Sequence, residues 1–87
     1  MSNRYYVVRL ISAGELPIDT PKDEFDDYRK RERELRKIIK GNRGFSNILK
    51  EKYPTKDDAY YPFLSLSTMA KDFKVKVELT EAFDLGF

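Results

Sequence analysis

The segment from Thr20 to Gly41, TPKDEFDDYRKRERELRKIIKG, constrains the fold more than any other part of the chain. It carries helix punctuation at both ends. Thr20 has the chemistry of an N-cap, Pro21 suits the first helical position, and Asp23 falls where a capping-box acid belongs. Asp23, Glu24, Asp26 and Asp27 crowd the positive end of the helix dipole. Arg36, Lys37 and Lys40 sit at the negative end, and Gly41 is a natural stop. Loss of the Thr20 cap is expected to cost ~1 kcal/mol. On a helical wheel Phe25, Tyr28, Leu35, Ile38 and Ile39 share an arc of roughly 140°, wide enough for a core face. Arg31 and Glu32 interrupt that arc.

The remaining elements can be placed around this helix. Residues 4–11, RYYVVRLI, are β-branched and aromatic and read as a strand, apolar on both faces and therefore central or covered on both sides. Ser12 to Asp19 is a connection broken by Gly14 and Pro17. Gly41-Asn42-Arg43-Gly44 is a tight link. Beyond it Phe45, Ile48, Leu49 and Tyr53 share one side of a shorter helix that must end before Pro54, giving an αα-hairpin. Thr55 to Tyr61 reads as a loop or one helical turn, with Thr55 and Asp58 at capping-box spacing. Pro62 to Thr68 reads as a strand opening on proline. Lys71 to Thr80 alternates Phe73, Val75, Val77 and Leu79 with Lys74, Lys76, Glu78 and Thr80, a strand pattern joined to the previous one by a hairpin through Met69 to Asp72. The expected fold is thus one α+β domain spanning residues 1–87. Its order is β-α-α-β-β, with a small three-stranded mixed or antiparallel sheet and two helices packed on one face.

Composition narrows the chemistry. The 87 residues include no cysteine, so disulfides and thiolate metal sites are excluded, and no histidine, which removes the usual general base and the commonest metal ligand. No apolar run reaches membrane-spanning length, and the start is too short and too charged for a signal sequence, so a cytoplasmic protein without a membrane partner is expected. Phosphate-binding glycine loops, nucleophile elbows and zinc signatures are absent. Asp23, Glu24, Asp26 and Asp27 are numerous enough for a metal site but are better explained as dipole complement on a solvated turn. Lys76 and Glu78 have the residue types of a metal-dependent nuclease in reversed order, without an upstream acidic partner. No enzyme, no cofactor and no metal is therefore expected.

Charge is segregated in a chain of net charge +2. Glu15 to Asp27 holds six acids and one base, whereas Arg29 to Lys52 holds ten bases and three acids. On the helical wheel Arg29, Lys30, Arg33, Arg36, Lys37 and Lys40 fall within about 120° of each other, opposite the apolar face. Arg29 and Arg33, Arg33 and Lys37, and Arg36 and Lys40 are like-charge neighbours, each unfavourable by ~0.2–0.5 kcal/mol, which a helix built for its own stability would avoid. Arg43 extends the stripe into the link. Tyr60 and Tyr61 form an aromatic pair that could stack on single-stranded bases, although rim tyrosines of a small core look the same. Phe83-Asp84-Leu85-Gly86-Phe87 reads as a tail that closes the core or docks elsewhere.

In general character the chain resembles the small regulators encoded by phages and mobile elements, a likeness of type and not of motif. The expected function is a regulatory binding protein whose basic helix face engages nucleic acid, RNA ahead of DNA, through the backbone and with weak sequence preference. The candidate contacts are Arg29, Lys30, Arg33, Arg36, Lys37, Lys40, Arg43, Tyr60 and Tyr61. The alternative is a phage-type inhibitor or adaptor that docks its charged surfaces on an acidic patch of a larger nucleic-acid-handling enzyme. A homo-oligomer, suggested by Arg31 and Glu32 on the core face, is a third partner class.

Overall fold

The structure, a computed structural model, describes residues 3–84. Its elements run β1 (Asn3–Leu10), a 3₁₀ turn (Ala13–Glu15), α1 (Lys22–Lys40), α2 (Arg43–Lys50), α3 (Lys56–Lys71) and β2 (Val77–Asp84). The class is α+β, as expected, but the order is β-α-α-α-β, with a two-stranded antiparallel sheet and three helices.

β1 forms where its β-branched and aromatic residues require it, and its partner is β2, from the far end of the chain. Leu10 faces Val77, Val8 faces Leu79, and Arg9 faces Glu78, with Nη1 2.5 Å from the carboxylate. Arg4 reaches diagonally to Glu81 at 3.2 Å. On the other edge of β1, Tyr6 exchanges both backbone hydrogen bonds with Tyr53, at 2.8 and 2.9 Å. Among the described residues this one-residue bridge, and not a third strand, is what pairs with that edge.

Helix α1 begins one residue later than its punctuation suggests. Pro21 occupies the N-cap position and no side chain caps the helix. Thr20 instead closes a turn, donating its N–H to Pro17 O at 2.9 Å. Of the expected core face, Tyr28, Leu35 and Ile39 are buried, Phe25 is half-buried and Ile38 is exposed. The two interrupting charges have partners inside the chain. Arg31 lies over the Tyr28 ring at 5.4 Å and donates to the carbonyls of Phe73 and Lys74 at 3.2 and 2.5 Å. Glu32 accepts the Ala13 N–H at 2.9 Å and pairs with Arg36 at 2.6 Å. Their position on the core face therefore does not call for a second copy of the chain.

α2 is the expected short helix but starts within the expected link, at Arg43, capped by Asn42, whose Oδ1 accepts the Phe45 N–H at 3.1 Å. The segment after it departs from expectation. Residues 62–68 are helical, not extended, and Thr55 caps α3 by accepting the Asp58 N–H at 3.1 Å. Pro62 lies inside this helix and forgoes one backbone hydrogen bond. Burial decides the conformation: Ala59, Leu66 and Ala70 are fully buried and Phe63 is half-buried, a 4-3-4 spacing that one helix face satisfies and a strand cannot.

The α3 C-terminus is a Schellman turn. Val75 N–H bonds to Ala70 O at 3.2 Å and Lys74 N–H to Lys71 O at 3.0 Å. Lys74 holds the left-handed position, φ 54°, that glycine usually takes. The first half of the expected Lys71–Thr80 strand is spent on this turn, so β2 starts at Val77 and no hairpin forms through Met69 to Asp72.

Val8, Leu10, Ala13, Tyr28, Leu35, Ile39, Leu66, Ala70 and Val75 form one core cluster. The Tyr28 hydroxyl spans it, donating to Ile11 O at 2.6 Å and accepting the Lys76 N–H at 3.1 Å. Among the described residues no buried side-chain polar atom lacks a partner. Phe83 is 54% exposed; Leu85, Gly86 and Phe87 of the expected tail lie outside the described residues.

Candidate nucleic-acid interface

The helix periodicity that buries Tyr28, Leu35 and Ile39 turns Arg29, Arg33, Lys37 and Lys40 outward on α1. With Arg36 and Glu32 they line a shallow concavity of about 380 Å³. At its end the chain reverses through Gly41 and Asn42 into α2. There Lys40, Gly41, Arg43, Ser46, Asn47 and Lys50 line a second concavity of about 420 Å³. Lys40 belongs to both, so the basic surface continues from one helix to the next. Gly41 has an ordinary right-handed backbone, φ −83°. Its lack of a side chain leaves the junction open.

The cations on this surface differ in how they are held. Arg36 is fixed by Glu32, which is itself anchored to the Ala13 N–H. Arg29, Lys30, Arg33, Lys37, Lys40 and Arg43 form no ion pair among the described residues. Asp26, a helical neighbour of Lys30, does not pair with it there. Six cations are therefore left for solvent or a partner, and Arg36 is pre-positioned beside them. Lys30 is exposed but lines neither concavity. Lys50 joins from α2. It stands seven residues after Arg43 on the same face of α2, a relation hidden in the sequence because Arg43 reads as part of the link and not as the first residue of the helix.

Tyr60 and Tyr61 are on α3, their rings 5.9 Å apart and edge to face, 47% and 78% exposed. Neither lines the two basic concavities. The aromatic pair and the basic surface are thus separate features.

The titration-shifted groups lie elsewhere as well. The Arg9 guanidinium hydrogen-bonds the Glu15 carboxylate, which also accepts the Ser12 N–H at 2.8 Å, and together these lower the Glu15 pKa to about 2. Burial raises the Tyr28 and Tyr53 hydroxyls above their ordinary range. Of the acids considered for a metal, Asp27 pairs with Arg31 at 3.3 Å, and Glu78 pairs with Arg9. Among the described residues no group of three histidine, cysteine, aspartate or glutamate side chains could hold a metal ion. No helix there is long and apolar enough to cross a membrane.

Comparison with family models, curated proteins and solved structures finds no match for this chain.

Proposed function

We propose that this chain is a non-enzymatic regulatory binding protein that engages the sugar-phosphate backbone of nucleic acid through the continuous basic surface of α1 and α2. The observation that carries this reading is the row of cations without intramolecular partners, Arg29, Arg33, Lys37, Lys40 and Arg43, running unbroken through the helix junction. Like charges spaced one helical turn apart repel each other in the free protein, and phosphates relieve that repulsion. The arginine forks suit phosphate oxygens. Such contacts fix position without reading bases, so binding should be weakly sequence-specific and strongly salt-dependent. Tyr60 and Tyr61 sit apart from the basic concavities, so the reading rests on phosphate contact and not on base stacking.

Titration of mixed-sequence single- and double-stranded RNA and DNA into the protein at low salt tests this. Binding that weakens steeply with salt and is lost in Arg33→Glu plus Lys37→Glu is the expected result. Affinity that is unmeasurable at low salt, or indifferent to the charge reversal, rejects it.

A second reading, docking on an acidic surface of a larger nucleic-acid-handling enzyme, draws on the exposed Asp23, Glu24 and Asp26 at the opposite end of α1. Charges of both signs on one helix favour a single orientation on a protein partner. Recovery of a stoichiometric protein that survives nuclease treatment would favour it over the first.

A further inference from the structure

The outer edge of β2 is self-complementary, and we infer that two copies of the chain pair through it, antiparallel about a two-fold axis at Thr80, to form one four-stranded sheet.

The backbone geometry sets which groups are available. Tyr6 directs both its N–H and its C=O to Tyr53, away from β2. Antiparallel pairs alternate, so Leu10, Val8, Tyr6 and Arg4 all point away from β2, and their opposites Val77, Leu79, Glu81 and Phe83 point away from β1. The Ile11 N–H bonding to Lys76 O at 2.9 Å agrees with that phase. Among the described residues no strand takes up the outward groups of Val77, Leu79, Glu81 and Phe83. Edge strands left open in this way are usually blunted by a proline, a bulge or an inward-pointing charge; Val77–Asp84 has no proline or bulge, and its one charge on the inner face, Glu81, is paired with Arg4.

One register satisfies the edge, its side chains and a neighbouring groove together. With Thr80 opposite the partner's Thr80, Leu79 exchanges hydrogen bonds with the partner's Glu81, and Val77 with the partner's Phe83. Val77 lies at the mouth of a groove of about 640 Å³ between α3 and β2, also lined by Leu64, Ser67, Thr68, Lys71, Lys74 and Lys76. The exposed ring of the partner's Phe83 falls on the α3 side of the sheet, over that groove and towards Leu64, which is itself 40% exposed. Lys76 stands opposite the partner's Asp84. Glu81 meets the partner's Glu81 only on the diagonal, and each of these carboxylates is paired with its own Arg4. A second copy is thus the occupant that fits: it brings the same open edge, and its exposed Phe83 ring meets the apolar residues Val77 and Leu64 of the groove.

The pairing is tested on the full chain by sedimentation equilibrium and by single-cysteine cross-linking, which the absence of native cysteine makes unambiguous. Twice the chain mass is expected for the unmodified protein. Thr80→Cys should oxidise to a disulfide-linked dimer, because residues opposed in a non-hydrogen-bonded pair approach within disulfide reach. Ala82→Cys, which would face the partner's Glu78, should not link. Glu81→Pro removes an outward N–H without touching the β1–β2 ladder. It should give a monomer with unchanged circular dichroism. A chain that is monomeric at hundreds of micromolar overturns the proposal, even where β2 captures a strand from another protein. A dimer that persists in Glu81→Pro, or in which Thr80→Cys does not link, overturns it too, since association would then use another surface or register.

Discussion

Arg31 Nη1 donates to the carbonyl of Lys74 at 2.5 Å, tying the middle of α1 to a turn in which Lys74 holds a left-handed backbone. The two residues explain each other. Lys74 sits in a conformation that costs roughly 1–2 kcal/mol for an L-residue. Arg31 offsets part of that by binding the Phe73 and Lys74 carbonyls while lying over Tyr28.

Lys74→Gly should therefore stabilise the protein by about 0.5–1 kcal/mol. Arg31→Ala should destabilise it by about 1–3 kcal/mol, and Arg31→Lys should recover little, because an ammonium cannot reproduce the fork that spans two carbonyls. Urea denaturation of the three variants measures all three effects. A neutral Arg31→Ala would mean the turn holds itself.

Helix capping gives a paired prediction. Thr55→Ala should cost ~1 kcal/mol by removing the acceptor of the Asp58 N–H. Thr20→Ala should stay within about 0.5 kcal/mol, since Thr20 caps nothing. Equal losses in thermal melts would place the start of α1 at Thr20 after all.

Tyr28 joins both strands to α1 through its hydroxyl. Tyr28→Phe keeps the ring and leaves Ile11 O and the Lys76 N–H without that partner, for a loss of about 1–3 kcal/mol. Hydrogen exchange at Lys76 should accelerate in the variant beyond what global destabilisation explains.

Acid sensitivity should map to Glu15. Its carboxyl titrates at about 2 in the folded chain against an ordinary 4.5. A lowered value means the carboxylate stabilises the fold fully above the ordinary pKa, and that contribution is lost as pH falls from 4.5 towards about 2. Glu15→Gln should flatten melting temperature against pH across this window and leave the profile above it parallel to the parent.

For nucleic acid, charge reversal at Arg33 and Lys37 should reduce the slope of log affinity against log salt by about 2 or more on duplex DNA. Tyr60→Ala plus Tyr61→Ala should leave affinity for duplex nearly unchanged. A large loss in the tyrosine variant would show that α3 takes part in binding.

Much of this arrangement was legible where a pattern was both local and strong. The β-branched run of β1, the amphipathic wheel of α1 and the break after it at Gly41 each specify their own conformation, although Arg43 and Gly44 of the expected link are already helical. So does the outward stripe, because exposure of one helix face follows from burial of the other. The α3 segment was not legible for two reasons. Pro62 argues against a helix, and the 4-3-4 core spacing is carried half by Ala59 and Ala70, which read as neutral although small size is what lets α3 approach the sheet closely. The end of α3 was hidden because Lys74 occupies the glycine position of its terminal turn. The β1–β2 pairing was hidden because nothing short-range encodes it, although the matched charges of Arg9 with Glu78 and Arg4 with Glu81 are consistent with it in retrospect. Within the site, the pairing of Arg36 with Glu32 is an i,i+4 contact of α1 and the placing of Lys50 beside Arg43 follows from the periodicity of α2; only the anchoring of Glu32 on the Ala13 N–H is a product of tertiary geometry.

The sheet joins residues as far apart as Arg9 and Glu78, 69 positions along the chain. Closing a loop of that length costs about 4 kcal/mol of chain entropy, which short helices do not face. Helices should therefore condense first and the sheet should close last. During synthesis at about 5–20 residues per second, the apolar Tyr5–Ile11 stretch would leave the ribosome roughly 3–14 s before its partner strand exists. For that interval the growing chain offers a bare strand, and its escape from aggregation depends on how quickly α1 and α2 can shelter it.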